Sequence, residues 1–446
     1  MHHRHRIVSV AVLLATDLLS LFFAVMLSRG VRLWLDRFPY FSDYDGQWIS
    51  FLFAGLLFGL LLLIFYSLGL YTRRNDFWEE TRKIFQGLFY LFVFIAAIVF
   101  LTKSSELYSR AMIVLMLFNA AWLLPLGRVI AKKMLFDMGV WRKSALIIGQ
   151  KEQVEYLKNQ LRLNRYLGYV PTLDADKEGI VFIATRGMPV EELEGLIAKY
   201  KKRFSDVVVI PYLHHLSFAN AEIIDLRIGQ ISMINIQNQL FRTKNIVMKK
   251  VAEITSVLAI FPFFILLYAL IALWIKMGSR GPVLFRQKRL GKEGKIFECY
   301  KFRTMHTDNQ HLLDDYLKKH PEEREYYRLY HKYRSDPRIT RAGKWLRKFS
   351  LDELPQIFNI IKGEMSLIGP RPYMVEERMK LDEAAETILH VHPGITGFWQ
   401  IKGRNNLTFA ERVELDVWYI QNWSLWLDFI IFIKTFEVLM TRRGAQ

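Results

Sequence analysis

Two adjacent carboxylates, Asp352 and Glu353, stand at a helix start in Ser350-Leu351-Asp352-Glu353-Leu354-Pro355-Gln356. In one reading they only cap and polarise that helix, because Ser350 and Glu353 have the spacing of a capping box and acidic first turns complement the helix dipole. In the other reading they do chemistry. Arg347 and Lys348 precede the pair, and Gly363 and Gly369-Pro370-Arg371-Pro372 follow it, so the carboxylates sit among cations and rigid turns. Phosphoryl transfer asks for that setting: a nucleophile in line with phosphorus, cations that absorb charge, and donors for the phosphate that does not react. An aspartate can form an acyl phosphate, dividing one transfer into two steps. Asp352 is then the nucleophile, and Glu353 together with Asp352 holds Mg2+, a cation bound through a carboxylate or two plus substrate phosphates. Lys301 and Arg303, two residues apart in Lys301-Phe302-Arg303-Thr304-Met305, would share one face of an extended segment. Asp336-Pro337-Arg338-Ile339-Thr340-Arg341 and Pro393-Gly394-Ile395-Thr396-Gly397 read as turns, and Lys402-Gly403-Arg404-Asn405 as a glycine-relieved loop that offers Arg404 to a phosphate. Alone, the Lys301 and Arg303 pair is more often a solvated edge; Lys301, Arg303, Arg347, Arg371 and Arg404 are the candidate phosphate-binding residues.

The elements that must position these groups differ along the chain. It has 446 residues, 52% hydrophobic, with a formal net charge of +18. That length implies more than one domain, and the charge points to anionic partners such as phosphorylated substrates and phospholipid headgroups. No zinc spacing, basic heptad region or RNA-binding aromatic signature is present, so nucleic acid is not an expected partner. The single cysteine, Cys299, excludes an intrachain disulfide and is expected to be a small buried apolar residue.

Four apolar runs, Ile7–Ser28, Trp48–Tyr71, Ile84–Thr102 and Ala111–Leu126, each approach the ~20 residues a helix needs to cross hydrocarbon. Arg4 and Arg6, then Arg73, Arg74, Arg82 and Lys83, then Arg128, Lys132, Lys133, Arg142 and Lys143 would share one side, expected to be cytosolic. Asp17 inside the first run reads as an interhelical hydrogen-bonding residue or as a functional site. From Ser144, short apolar runs at Ala145–Gly149, Ile180–Ala184 and Val207–Ile210 look like buried parallel strands of a small Rossmann-like α/β domain. Gly149 is followed by Gln150-Lys151-Glu152, not by a dinucleotide fingerprint, so a structural or regulatory role is favoured there. A fifth apolar stretch, Ile254–Ile275, has Lys244, Lys249 and Lys250 before it and Lys276, Arg280, Arg286, Lys288 and Arg289 after it. Both ends want one surface, and Pro262 would break or kink the helix, so a re-entrant helix over about 250–277 is expected, with a plain fifth span as the alternative. Asp416–Met440 reads as a helix in the headgroup layer or as a core helix. The expected domains are 1–138, 139–243 and 244–446.

The stretches Lys301–Met305, Asp336–Arg341, Ser350–Gln356, Gly363–Pro372, Pro393–Gln400 and Gly403–Asn405 closely resemble the catalytic domain of bacterial polyprenyl-phosphate hexose-1-phosphate transferases, the monotopic phosphoglycosyl transferases. Order and spacing agree from about Asn245 to the C-terminus, and the preceding segments resemble the long-form members. The resemblance implies a multi-domain membrane protein: an N-terminal four-helix transmembrane bundle, a Rossmann-like α/β domain, and a mainly α monotopic catalytic domain with a re-entrant membrane helix. It implies that Asp352 accepts the phosphosugar, that Glu353 is its magnesium-associated partner, and that Lys301, Arg347, Arg371 and Arg404 lie near the phosphate site. The implied reaction moves a hexose 1-phosphate from a UDP-sugar to undecaprenyl phosphate with release of UMP, initiating O-antigen, capsule or exopolysaccharide synthesis. The implied place is the bacterial inner membrane, with the α/β and catalytic domains on its cytosolic face. The insertion Asp308–Ser335, with His320-Pro321-Glu322-Glu323, and the ending Thr441-Arg442-Arg443-Gly444 look most like the galactose branch, with glucose as the alternative sugar. Family re-entrant helices often carry a small polar residue before the breaking proline, whereas Phe261 stands there in this chain. A homodimer is compatible with the sequence. Two other classes stay open: a membrane nucleotide-sugar dehydratase or epimerase, which needs a nicotinamide cofactor, and a non-catalytic scaffold for polysaccharide assembly.

Overall fold

The computed structural model describes residues 2–38, 51–101, 110–173, 179–204, 206–211, 222–226, 231–235, 238–307, 310–321, 323, 325, 333, 336–403 and 407–441. The chain divides into two compact units, residues 1–212 and 213–446.

The first unit opens with four helices, α1 (His2–Leu35), α2 (Phe51–Ser67), α3 (Phe77–Leu101) and α4 (Arg110–Asp137). Three of them are long and apolar enough to cross a membrane, and α2 is a shorter apolar helix. Helix α1 lies along α4, α4 packs on α3 and α3 on α2. Leu13, Leu61, Phe65, Ile84, Leu124 and Leu135 fill the space between them. Phe22, Leu63, Phe89 and Trp122 point outward and are exposed, as lipid-facing residues are, because hydrocarbon solvates them as well as a protein core does.

The bundle also buries a charged network. Arg128 donates from Nε to Asp17 Oδ1 at 2.9 Å and from Nη2 to Asp17 Oδ2 at 2.5 Å, while Nη1 reaches Glu80. Lys132 pairs with the other oxygen of Glu80, and the Tyr71 hydroxyl donates to Asp17 at 2.5 Å. Both acids and both bases are almost fully buried, so the charges balance where neither could stand unpaired. Asp17 is therefore an interhelical partner.

A parallel four-stranded sheet completes this unit: β1 (Lys143–Ile148), β2 (Tyr169–Thr172), β3 (Ile180–Ala184) and β4 (Asp206–Ile210), in the order β2-β1-β3-β4. Helix α5 (Lys151–Leu163) links β1 to β2, and α6 (Val190–Lys201) links β3 to β4. Gly149 has φ +145, and a Cβ there would lie 2.6 Å from the Ala184 carbonyl. Close approach of two strand ends thus accounts for this glycine. The sheet is tied to the bundle by polar contacts: Tyr166 donates to Glu80 at 2.6 Å, and Arg74 Nη1 donates to the carbonyls of Trp141 and Leu167 at 2.8 and 2.9 Å.

The second unit contains an antiparallel pair, β5 (Glu222–Leu226) and β6 (Ile231–Asn235), then α7 (Thr243–Gly278). Pro262 lies inside α7, which runs as a single 36-residue helix. The proline does not end the helix, so the break or kink expected there is limited to a bend at the missing backbone donor. Both ends of α7 touch the same body. Lys249 pairs with Asp428 at 2.7 Å and donates to the Tyr419 hydroxyl at 3.2 Å. Phe264 meets Phe358 edge-on with ring centres 5.3 Å apart, and Ile271 and Ile275 pack against Ala342 and Leu346.

The remainder consists of the antiparallel pair β7 (Leu284–Leu290) and β8 (Ile296–Phe302), then α8 (Gln310–Lys319), α9 (Arg341–Lys348), α10 (Ile357–Ile361), β9 (Ser366–Ile368), α11 (Ala384–Leu389), β10 (Gly394–Thr396), α12 (Phe398–Lys402), α13 (Phe409–Gln421) and α14 (Leu425–Thr441). Strands β9 and β10 pair in parallel. The expected single helix over Asp416–Met440 is two. Asn422 ends α13, and α14 restarts with Asp428 buried toward Lys249 while Phe436 and Met440 stay exposed.

Candidate active site

Asp352 and Glu353 lie on a 3-10 turn, Leu351–Gln356, that the chain enters through Ser350 at φ +55. A serine in the left-handed region is strained by about 1 kcal/mol or more, and such strain gathers at functional sites. The Ser350 side chain caps nothing here. Glu353 turns away from it, and its Oε1 accepts from Lys301 Nζ at 2.7 Å. The capping box suggested by the sequence is therefore not realised.

Lys301 comes from β8, which packs directly on this turn. Burial alone would lower its ammonium, but the charges of Glu353 and Asp352 outweigh that and raise it. Burial pushes the Asp352 carboxyl up to about 6, the neighbouring Glu353 charge adds to the rise, and Lys301 and Arg347 oppose it. The result is a half-buried carboxyl group with an ionisation close to neutrality, which suits a nucleophile that must also leave again.

Arg347 is brought to Asp352 by a local chain of causes. Asp336 folds its turn by accepting from Arg338 Nε and Nη2 at 2.9 and 2.7 Å. Thr340 then caps α9 by accepting from Gly343 N at 2.9 Å. Gly343 runs so close to β8's continuation that a Cβ would lie 2.0 Å from the Thr304 carbonyl. One turn later Arg347 Nε donates to Thr304 Oγ1 at 2.9 Å.

A cleft runs from Glu353 and Lys301 past Arg289 and Cys299 to Arg371 and Trp399. Cys299 is buried, as expected, and burial pushes its thiol up to about 11. Arg371 follows β9; its backbone N–H donates to Asp416 Oδ2 at 3.1 Å, and its guanidinium lies 5.8 Å from the centre of the Trp399 ring. Lys301, Arg347 and Arg371 thus stand around the carboxylate pair or in its cleft.

Arg303 does not. Its Nη1 donates to the Arg280 carbonyl at 2.7 Å and its Nη2 to the Ser279 carbonyl at 2.9 Å, bracing the end of α7. The expectation failed because β8 ends at Phe302, so the two-residue alternation that would have put Arg303 beside Lys301 stops before it. Arg404 lies outside the described residues, as does most of the Asp308–Ser335 insertion.

The structure also brings in residues the sequence did not single out for the site: Arg289, Gln356 and Trp399 line the cleft, and Arg412 and Asp416 stand behind it. Arg289 had entered only as a charge flanking an apolar stretch. Nothing local marks Arg412, whose guanidinium lies 5.3 Å from the Trp399 ring centre.

The donor set agrees with a hard divalent cation. Asp352 and Glu353 supply oxygen only, and the Glu353 charge, which adds to burial in raising the Asp352 carboxyl, is what a dication would relieve. Among the described residues no group of three or more His, Cys, Asp or Glu side chains is arranged to hold a metal ion. The protein would then contribute two carboxylates, with substrate phosphate oxygens and water completing the shell.

Comparison with known proteins agrees with this geometry. Residues 244–442 match the family described as bacterial sugar transferase. A sugar transferase of Haemophilus influenzae is 33% identical over 459 residues, covering 96% of this chain and 95% of its own. The undecaprenyl-phosphate galactose phosphotransferase of Salmonella typhimurium is 31% identical over 403 residues, 84% of each chain. The exopolysaccharide production protein ExoY of Sinorhizobium fredii is 43% identical over 192 residues, 43% of this chain and 83% of its own. With apolar helices able to cross a bilayer, a carboxylate pair beside Lys301 and Arg347, and full-length relatives of this kind, the chain is a membrane enzyme and belongs to the bacterial sugar transferase family, the polyprenyl-phosphate hexose-1-phosphate transferases.

Proposed function

We propose that this enzyme moves a hexose 1-phosphate, galactose 1-phosphate first, from a UDP-sugar to undecaprenyl phosphate by way of an aspartyl phosphosugar on Asp352. The observation that carries this reading is the half-buried Asp352 carboxyl held beside the Lys301–Glu353 pair, which itself lines a cationic cleft. An Asp352 oxygen attacks the sugar-bearing phosphorus, the bond from that phosphorus to the bridging oxygen breaks, and UMP leaves with the electron pair. A phosphate oxygen of undecaprenyl phosphate then attacks the same phosphorus, and the Asp352 carboxylate departs. Lys301 and Arg347 offset the charge that builds on the non-bridging oxygens. Mg2+ held by Glu353 and Asp352 would supply Lewis-acid charge neutralisation at the diphosphate.

Galactose is favoured because relatives matching most of this chain carry that name: the Salmonella phosphotransferase and, at 30% identity over 405 residues, a UDP-galactose-lipid carrier transferase of Erwinia amylovora. Glucose is the second reading. The undecaprenyl-phosphate glucose phosphotransferase of Komagataeibacter xylinus is 38% identical over 230 residues, 49% of this chain. In this proposal the product starts a repeat unit of O-antigen, capsule or exopolysaccharide.

The proposal places the enzyme in the bacterial inner membrane, with its α/β sheet, read as a Rossmann-like domain, and its catalytic body on the cytosolic face, where a nucleotide sugar is available. Helix α7 is then re-entrant, bent at Pro262 so that it enters and leaves by the same surface. Contacts of Lys249 near one end and Ile275 near the other with the same catalytic body support this, since a straight crossing would carry those ends to opposite faces.

The test is the identity of the nucleotide released. Purified protein given UDP-galactose, Mg2+ and undecaprenyl phosphate should produce UMP. Release of UDP would mean that the sugar moves without its phosphate and would sink this reading.

A further inference from the structure

Four buried polar atoms near the cleft have no hydrogen-bond partner: Nε of Arg289, Nε of Arg412, Nε1 of Trp399 and Oδ1 of Asp416. Buried groups of this kind are nearly always satisfied in a finished site. Three of the four are donors, and all three neighbour Arg371: its guanidinium lies 5.8 Å from the Trp399 ring centre, and its charge acts on Arg289 and Arg412. Two guanidiniums approach the Trp399 ring, Arg371 at 5.8 Å and Arg412 at 5.3 Å from its centre. Arg289 stands in the same cleft, its Nη1 on the Pro372 carbonyl at 3.0 Å and its Nη2 on Gln287 at 2.7 Å.

The acids that could neutralise these arginines are few. Glu377 reaches Arg371 only at 3.9 Å. Among the described residues no carboxylate oxygen lies within 4.0 Å of Arg289 or Arg412. Asp416, one helical turn beyond Arg412, spends Oδ2 on the Arg371 N–H and on the Tyr373 hydroxyl at 2.8 Å. It fixes the loop that carries Arg371 rather than cancelling its charge. Burial lowers the Arg289 and Arg412 guanidiniums and Arg371 repels both, so the three are held together against their own charge.

We propose that Arg289, Arg371, Arg412 and Trp399 form a single phosphate-monoester subsite that holds, in turn, the departing nucleoside monophosphate and the incoming lipid phosphate. This rests on Asp352 being the phosphosugar acceptor. In-line displacement at an Asp352-bound phosphorus leaves one apical direction open, opposite the aspartyl oxygen. The first group leaves along it and the second must arrive along it. Each presents the same chemistry there, a phosphate monoester, so one set of donors serves both. The aromatic edge and the flat guanidiniums, which have no carboxylate nearer than 3.9 Å, suit an occupant that changes every half-cycle.

The test separates the half-reactions in the reconstituted full-length protein. In the first, UDP-galactose alone charges the enzyme, and the rate and amplitude of UMP release are followed. In the second, isolated charged enzyme is mixed with undecaprenyl phosphate. Arg412→Gln and Trp399→Ala should slow both rates by a similar factor, roughly ten- to a hundredfold for a lost charged hydrogen bond. The amplitude should stay near that of the unaltered enzyme, which a merely misfolded variant would not show, and Arg412→Lys should recover part of the rate. In the unaltered enzyme, UMP should compete with undecaprenyl phosphate for the charged form. A variant that slows only one half-reaction, or UMP and lipid phosphate binding without competition, would overturn the shared subsite. Failure of the unaltered enzyme to become charged would instead overturn Asp352 as acceptor.

Discussion

Lys301 Nζ sits 2.7 Å from Oε1 of Glu353, the carboxylate next to Asp352, so the ammonium answers the neighbour's charge before it answers that of Asp352. Asp352 is left with its carboxyl raised to about 6 from the ordinary 3.8. Only the ionised form can attack phosphorus. The rate of the first half-reaction, read as kcat/KM at fixed Mg2+, should therefore climb with pH, on a limb that lies below about 6 because the bound cation favours the carboxylate. Removing a positive charge disfavours the carboxylate, so Lys301→Met should move that limb to higher pH. A limb that stays in place in the variant would mean that another group controls it.

Asp352→Asn should lose the sugar label on the protein and at least about a thousandfold in turnover, as removal of a nucleophile does. Glu353→Gln should keep some label, because the attacking oxygen is intact. Mass spectrometry of protein quenched after exposure to UDP-galactose distinguishes the two; label persisting on the Asp352→Asn protein would point to another nucleophile.

Arg303→Gln should damage the fold rather than the chemistry. The guanidinium braces the Ser279 and Arg280 carbonyls at the end of α7, and losing charged hydrogen bonds of this kind destabilises by roughly 1–3 kcal/mol. Thermal unfolding should shift downward while KM for the nucleotide sugar in the surviving enzyme stays put. A raised KM at unchanged stability would return Arg303 to the phosphate site.

Asp416 gives a pH signature of stability. Burial pushes its carboxyl up to about 7, against the bonds from Arg371 N–H and the Tyr373 hydroxyl. The folded state therefore prefers the protonated form. That stability is complete below about 4 and is lost as pH rises through about 7. Asn keeps an oxygen for both donors and carries no charge, so Asp416→Asn should unfold at a higher temperature than the unaltered protein at pH 8, with the gap closing toward pH 4. An Asn variant less stable at pH 8 would show that the ionised form is the one the fold holds.

In the bundle, Arg128→Met would strand both Asp17 and Glu80 without their guanidinium. Breaking a buried pair from one side typically destabilises by roughly 3–5 kcal/mol. The variant should express poorly, and Arg128→Met combined with Asp17→Asn should recover part of the loss. Equal yields of single and double variants would deny the coupling.

The carboxylate pair and the apolar helices were legible in the sequence because each is a local pattern: adjacent residues in one case, a continuous run of suitable length in the other. The cleft was only half legible. Lys301, Arg347 and Arg371 carry charge close to recognisable turns, but Arg289, Trp399 and Arg412 come from segments more than a hundred residues apart at the extremes, and only tertiary packing places them together. Arg303 misled because alternation was extended one residue past the strand that enforces it.

The polar seam between sheet and bundle bears on how this architecture could be shortened. Ending the chain near residue 139 would leave Glu80 without the Tyr166 hydroxyl, and Arg74 without the carbonyls of Trp141 and Leu167, inside a surface built to be covered. Bundle and sheet should accordingly be inherited, deleted or transplanted as one block. Relatives such as ExoY, whose match takes in 83% of their own length but 43% of this chain, fit a lineage in which that block is carried whole or absent.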